Sequence, residues 1–185
     1  MSTFDRIKAA AVALAVAAPF AAVAADKLPA GPGLGEAAPP ELVVKWDISI
    51  MPDGAGLPSG KGNSRDGQLV YVHSCQACHG TNGGGGSAAR LTGGIGSLTS
   101  DMPIKTVNSY WPYATTVFDY IRRAMPLNTP QSLNDDEVYS LVAFILSVDG
   151  LVKVADTVDQ ASLPKIQMPN RNGFVSFWPA PPKGF

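Results

Sequence analysis

The sequence predicts an all-α domain flanked by long irregular N- and C-terminal extensions, and three observations carry that expectation. Two stretches repeat apolar residues at helical spacing, one from Tyr113 or Ala114 to Ala124 and one opening at Asn134 and closing at Gly150. A third apolar stretch, starting at Ser64 or Arg65, runs into Cys75-Gln76-Ala77-Cys78-His79. Glycine and proline, 19 and 16 of 185 residues, are abundant for a helical domain. Much of the chain is therefore expected to be ordered loop, wrapped around something other than its own secondary structure.

The cysteine motif supplies a candidate for that something. Cys-x-x-Cys-His is the attachment signal for c-type haem. Two residues between the cysteines place both sulfurs on one turn of chain facing the porphyrin, and the next residue turns its imidazole toward the iron. A bare Cys-x-x-Cys would serve a redox dithiol or half a zinc site. The immediate His79, and the lack of any cysteine besides Cys75 and Cys78, separate these chemistries. With both thiols in the motif no structural disulfide is expected, and covalent haem would provide the missing apolar core.

A length of 185 residues suits one domain with a real core. The formal net charge of -1 provides no strong field for nucleic acid or an anionic membrane. At the N-terminus, Arg6 and Lys8 precede an apolar run from Ala9 to Val23, interrupted by Pro19 and followed by Ala24 and Ala25. This reads as a secretory signal peptide cleaved after Ala24 or Ala25. The run is too short, too alanine-rich and too broken for a membrane span, which needs about 20 apolar residues. Its removal takes away Asp5, Arg6 and Lys8, leaving 14 acidic and 12 basic side chains, a net charge of -2. The expected organisation is a signal peptide over residues 1–24, an N-terminal arm over 25–63, a haem domain over 64–150 and a C-terminal tail over 151–185 packed on the same domain.

In the arm, Leu42-Val43-Val44 and Trp46-Asp47-Ile48 form an apolar island, expected as one short strand or an extended segment, laid on the surface or binding a partner. Gly54 to Gly62 reads as a turn-rich linker. Leu69, Val70, Tyr71 and Val72 give the motif helix its apolar character. His73, two residues before Cys75, cannot reach the far face of the same haem and is expected at or near the surface. Gly83 to Gly86 and Leu91 to Leu98 read as flexible loop on the proximal side. No Lys-Ser/Thr follows those glycines, which sets aside a nucleotide loop. In the central helix Val117, Phe118 and Ile121 share a face continuing to Met125, Arg122 and Arg123 suit the last turn, and Pro126 stops it. The final helix has Asn134 as N-cap with Glu137 three residues on, and Leu133 placed to staple against Val138. Val138, Leu141, Val142 and Ile145 are its core stripe, with Tyr139 and Phe144 as aromatic bulk, and Gly150 ends it.

Opposite His79, methionine would raise the potential and favour electron transfer over oxygen chemistry. Met51, Met102, Met125 and Met168 are each followed by proline, so only position discriminates. A distal ligand must come from a loop able to close over the haem between the central and C-terminal helices. Met125 lies there, ahead of Met102 and Met168; the remaining methionines are expected as buried thioethers filling gaps. Trp111 and Tyr113 either reach the haem propionates or serve as core residues with satisfied polar tips.

The motif helix, Arg123-Ala124-Met125-Pro126 and the aromatic-rich final helix together resemble class I cytochrome c. More specific are Trp46-Asp47-Ile48, Pro52-Asp53-Gly54, Gly56-Leu57-Pro58 and Ser109-Tyr110-Trp111-Pro112-Tyr113-Ala114-Thr115. Asp119 through Pro126 and Met168-Pro169-Asn170-Arg171-Asn172-Gly173-Phe174 complete the pattern. These resemble the cytochrome subunits of periplasmic sulfur-compound dehydrogenases: the sulfane dehydrogenase of the Sox system and sulfite dehydrogenase. The resemblance runs over about residues 42 to 177. It implies a class I cytochrome c fold, three to five helices around one covalent haem, in which the motif helix crosses the C-terminal helix at a small residue, here Gly67. It also implies haem attachment outside the cytoplasm, in the periplasm. The Sox cytochrome is often a two-haem protein, whereas this chain has one motif, which leaves a stand-alone one-haem homologue or a sulfite dehydrogenase subunit equally open.

The function expected is electron transfer rather than catalysis. One haem c, bonded to Cys75 and Cys78, ligated by His79 and Met125 and flanked by Trp111 and Tyr113, would accept electrons from a molybdenum-containing dehydrogenase subunit and pass them to a downstream cytochrome or oxidase. The alternatives are a diffusible carrier without a dedicated partner, or a ligand-sensing haem.

Overall fold

The computed structural model describes residue 31 and residues 33–175. The expected signal peptide and the end of the tail lie outside the described residues. The chain divides into one unit ending at Pro39 and a second from Pro40 onward. The described residues of the first unit form no helix or strand; the second carries all elements below.

These are α1 (Pro40–Trp46), β1 (Lys61–Asn63), α2 (Ser64–Ser74), α3 (Gln76–His79), α4 (Val107–Tyr110), α5 (Ala114–Ala124), α6 (Asp135–Val148) and β2 (Thr157–Asp159). Single turns of 3₁₀ helix occupy Thr81–Gly83, Ser97–Thr99 and Leu163–Lys165. The architecture is helical, as expected of class I cytochrome c.

The second unit is built around α6. Asn134 accepts from the Glu137 amide at 3.0 Å while the Glu137 carboxylate accepts from the Asn134 amide at 2.9 Å, so the predicted capping box is present. The chain turns away at Gly150, where φ is 76°. All nine residues from Val138 to Leu146 are buried, so the anticipated stripe is in fact a helix enclosed on every side. Leu133 packs against this core.

Three elements enclose it. Asn63 caps α2 by accepting from the Arg65 and Asp66 amides. The helix then crosses α6 at Gly67, where a Cβ would overlap the Ser140 backbone. Tyr71 meets Phe144 with ring centroids 5.0 Å apart. On another side α5 buries Val117, Phe118 and Ile121, the face read from the sequence, and Phe118 meets Tyr139 at 4.5 Å. The Tyr139 hydroxyl donates to the Pro58 carbonyl at 2.8 Å. The third element is a two-stranded antiparallel ribbon that pairs Gly62 with Val158. Gly62 also abuts Ser140, and Val158 is buried.

Two features depart from expectation. The island at Leu42 to Trp46 is the helix α1, not a strand or extended segment. Pro40 takes its first position, and Glu41 and Lys45 complement the helix dipole at its two ends. The arm and the tail are not merely extended, because β1 and β2 stitch one to the other. Arg122 and Arg123 lie in the last turn of α5, as expected, and are also ion-paired, to Asp135 at 3.0 Å and to Asp119 at 2.9 Å.

Candidate functional site

Cys75 ends α2 and opens α3, so the motif occupies a single helical turn. The Cys75 amide donates back to Tyr71 at 2.9 Å, and the Cys75 carbonyl accepts from Cys78 at 3.2 Å and His79 at 3.0 Å. Both thiols are free; Cys75 is half-buried and Cys78 exposed. Burial, with the neighbouring Cys78 second, pushes the Cys75 thiol up to about 11. After His79 the chain reverses at Gly80, where φ is 74° and a Cβ would strike the Gly85 carbonyl. The buried Tyr71 donates its hydroxyl to the Gly80 carbonyl at 2.8 Å, tying the turn to α2.

His79 Nδ1 lies 2.7 Å from the Ala89 carbonyl. A carbonyl can only accept, so Nδ1 holds a proton, and in the neutral ring Nε2 is the nitrogen with the lone pair. This tautomer and orienting contact are what a metal-ligating histidine requires. The segment carrying Ala89 is held in place rather than flexible. Ala88 donates to the Cys78 carbonyl at 2.9 Å, and Leu91 and Thr92 donate to Gly83 at 2.8 and 3.2 Å. Thr106 Oγ1 donates to the Gly93 carbonyl at 2.7 Å. Asp149 Oδ2 accepts from the Gly93 amide and from Asn108 Nδ2, both at 2.7 Å. The glycines that suggested flexibility instead supply positive φ at Gly83 and Gly85.

Met125 sits at the C-cap of α5, its amide donating to Ile121 at 3.0 Å, with a cis peptide bond to Pro126. It is half-buried against the core, together with Cys75, Leu91, Trp111 and Leu133. Of the other three methionines followed by proline, one meets the buried-thioether expectation and two do not. Met168 is buried at 3% exposure, but Met51 and Met102 are 54% and 83% exposed and fill no gap. His73 is exposed, as expected.

Trp111 borders the same core and meets Tyr120 edge-on at 5.6 Å. Tyr113 opens α5 and lies beneath the Arg171 guanidinium, 5.0 Å from carbon to ring centroid. Neither the Ala89 carbonyl nor Arg171 was among the expected site residues. A backbone carbonyl leaves no mark on a residue sequence, and Arg171 is brought to α5 from the tail.

Residues 62–145 match the family described as cytochrome c oxidase, cbb3-type, subunit III. Among curated proteins there is no match. A chain in the crystal structure of the sulfane dehydrogenase SoxCD from Paracoccus pantotrophus is 40% identical, with a TM-score of 0.73, covering 78% of this chain and 71% of that one. The chain is a c-type cytochrome. As such it is an electron-transfer protein whose family carries covalent haem c. This cytochrome's residues fit that group: two free thiols on one turn, an imidazole oriented through its Nδ1, and a half-buried thioether at the edge of the same core.

Proposed function

We propose that this cytochrome is the mono-haem electron-transfer subunit of a periplasmic sulfur-compound dehydrogenase. It accepts electrons from a molybdenum-containing subunit that oxidises sulfite or sulfane sulfur, then passes them to a downstream cytochrome or oxidase. The observation that carries this reading is the 40% identity, over 78% of the chain, to a chain of the sulfane dehydrogenase SoxCD. A free shuttle needs only a small redox contact, whereas here an arm and a tail are paired across the domain.

Bound haem supplies a one-electron Fe(III)/Fe(II) couple. The chain's part is to hold it. Cys75 and Cys78 would attach it, His79 and Met125 would supply the ligands to its iron, and Trp111 and Tyr113 would border it. The Ala89 carbonyl keeps the His79 ring oriented, and the Met125 thioether, as a ligand, would favour the reduced state. With both thiols used in attachment, the sulfur chemistry belongs to the partner. Residues 1–24 direct export, 25–63 form the arm, 64–150 the haem domain and 151–185 the tail. Among the described residues no helix is long and apolar enough to cross a membrane.

The test is native purification from a periplasmic extract. A co-purifying molybdenum subunit through which sulfite or thiosulfate reduces the haem is the expected result. A clean monomer that neither substrate reduces in the presence of the whole extract would overturn it.

A further inference from the structure

Ten lysines and arginines fall among the described residues, counted from the chain, and Arg171 stands apart from the other nine. Seven are exposed. Arg122 and Arg123 are partly buried and paired with Asp135 and Asp119. Arg171 alone is partly buried with no carboxylate within ion-pair distance among the described residues. A guanidinium taken partly out of water is stabilised by an anion at its N–H edge.

Its position is enforced. Its amide donates to the carbonyl of Met168 at 3.1 Å, and Met168 is buried. Next to it, Asn170 Nδ2 donates to the Tyr110 carbonyl at 2.7 Å, and Phe174 lies against the Tyr110 ring at 5.2 Å. These contacts press the guanidinium onto the Tyr113 face. A stacked guanidinium leaves its planar fork of N–H donors free at the edge, the arrangement that receives a carboxylate in two parallel hydrogen bonds.

Tyr113 and Met125 bracket α5, twelve residues and roughly 18 Å apart at 1.5 Å rise per residue. Arg171 therefore stands at the end of the helix opposite the thioether. Haem carries two carboxylates on one edge of its ring, and they are the anions this reading brings to the site. We propose that Arg171, braced on Tyr113, is the tail's counter-ion for a haem propionate. This rests on haem being held at Cys75, Cys78 and His79.

The experiment uses full-length holoprotein and two readouts, the midpoint potential and the propionate bending modes in the resonance Raman spectrum. Arg171→Gln should lower the potential, because an uncompensated carboxylate favours the ferric state, and should shift a propionate mode. Arg171→Lys should recover the potential in part while the mode stays shifted, since ammonium lacks the planar fork. Lys165→Gln removes the same charge from an exposed position in the same tail and should move neither. The proposal is overturned if Arg171→Gln lowers stability alone, or if Lys165→Gln shifts the potential as far. If Arg171→Gln does not mature, an unshifted mode in Arg171→Lys overturns it. Failure of the haem reading itself would appear earlier, in a wild-type spectrum lacking histidine–iron signatures.

Discussion

Gly67 of α2 lies so close to Ser140 of α6 that a Cβ on it would overlap the Ser140 carbonyl. The obstacle is helix backbone within a nine-residue buried run, so it cannot swing aside. Gly67→Ala should destabilise the holoprotein by about 3 kcal/mol, at the upper end of overpacking costs. Thermal or urea unfolding would measure this, and a cost under about 0.5 kcal/mol would mean the helices can separate without penalty.

Met125 tests the iron's second ligand. Met125→Ala should abolish the methionine-to-iron charge-transfer band and lower the midpoint potential, since thioether ligation raises it. Met168→Ala should leave the band in place and cost about 2–4 kcal/mol, as expected on truncating a fully buried side chain. A band that survives in Met125→Ala and disappears in Met168→Ala would reverse the assignment.

Asp149 joins the end of α6 to the segment following Ala89. Its Oδ2 accepts from the Gly93 amide and from the amide of the fully buried Asn108. Asp149→Ala strands two donors and should cost about 2 kcal/mol. Asp149→Asn keeps an acceptor and should cost less. Equal losses in the two variants would show that the hydrogen bonds are not what matters there.

Asp159 sets a pH dependence. Hydrogen bonds from Ser162, backbone first and hydroxyl second, hold its carboxyl below the ordinary 3.8. A group depressed on folding stabilises above its unfolded value, and that contribution is lost as pH falls through the lower folded value. Wild type should therefore exceed Asp159→Asn in stability at pH 7, with the difference shrinking as the pH falls below 3.8. Melting curves across that range check the sign; a constant difference would mean the carboxylate's charge is irrelevant.

Helices with strong local signals were legible at the level of residues. The Asn134–Glu137 box and the Val117–Phe118–Ile121 face each obey a short-range rule, while the crossing at Gly67 followed from the family resemblance, and each is present in the fold. The island at Leu42 to Trp46 misled because a short apolar run has no period of its own. Its helix follows from Pro40, Glu41 and Lys45 at the ends, with no residue buried. The β1–β2 ribbon has three residues on each side and no alternation long enough to read.

By itself the sequence determined the chemistry at the motif, because Cys75, Cys78 and His79 are neighbours along one turn and their spacing is local. It also determined the helices whose caps and apolar faces lie within a few residues. Tertiary structure alone decided which distant groups meet. The carbonyl that orients His79 belongs to Ala89, whose side chain is immaterial to the bond. The guanidinium over Tyr113 arrives from Arg171 because Met168 is buried and Asn170 is tied to Tyr110. Such contacts depend on where distant backbone is brought by packing, and no local pattern of residues encodes them.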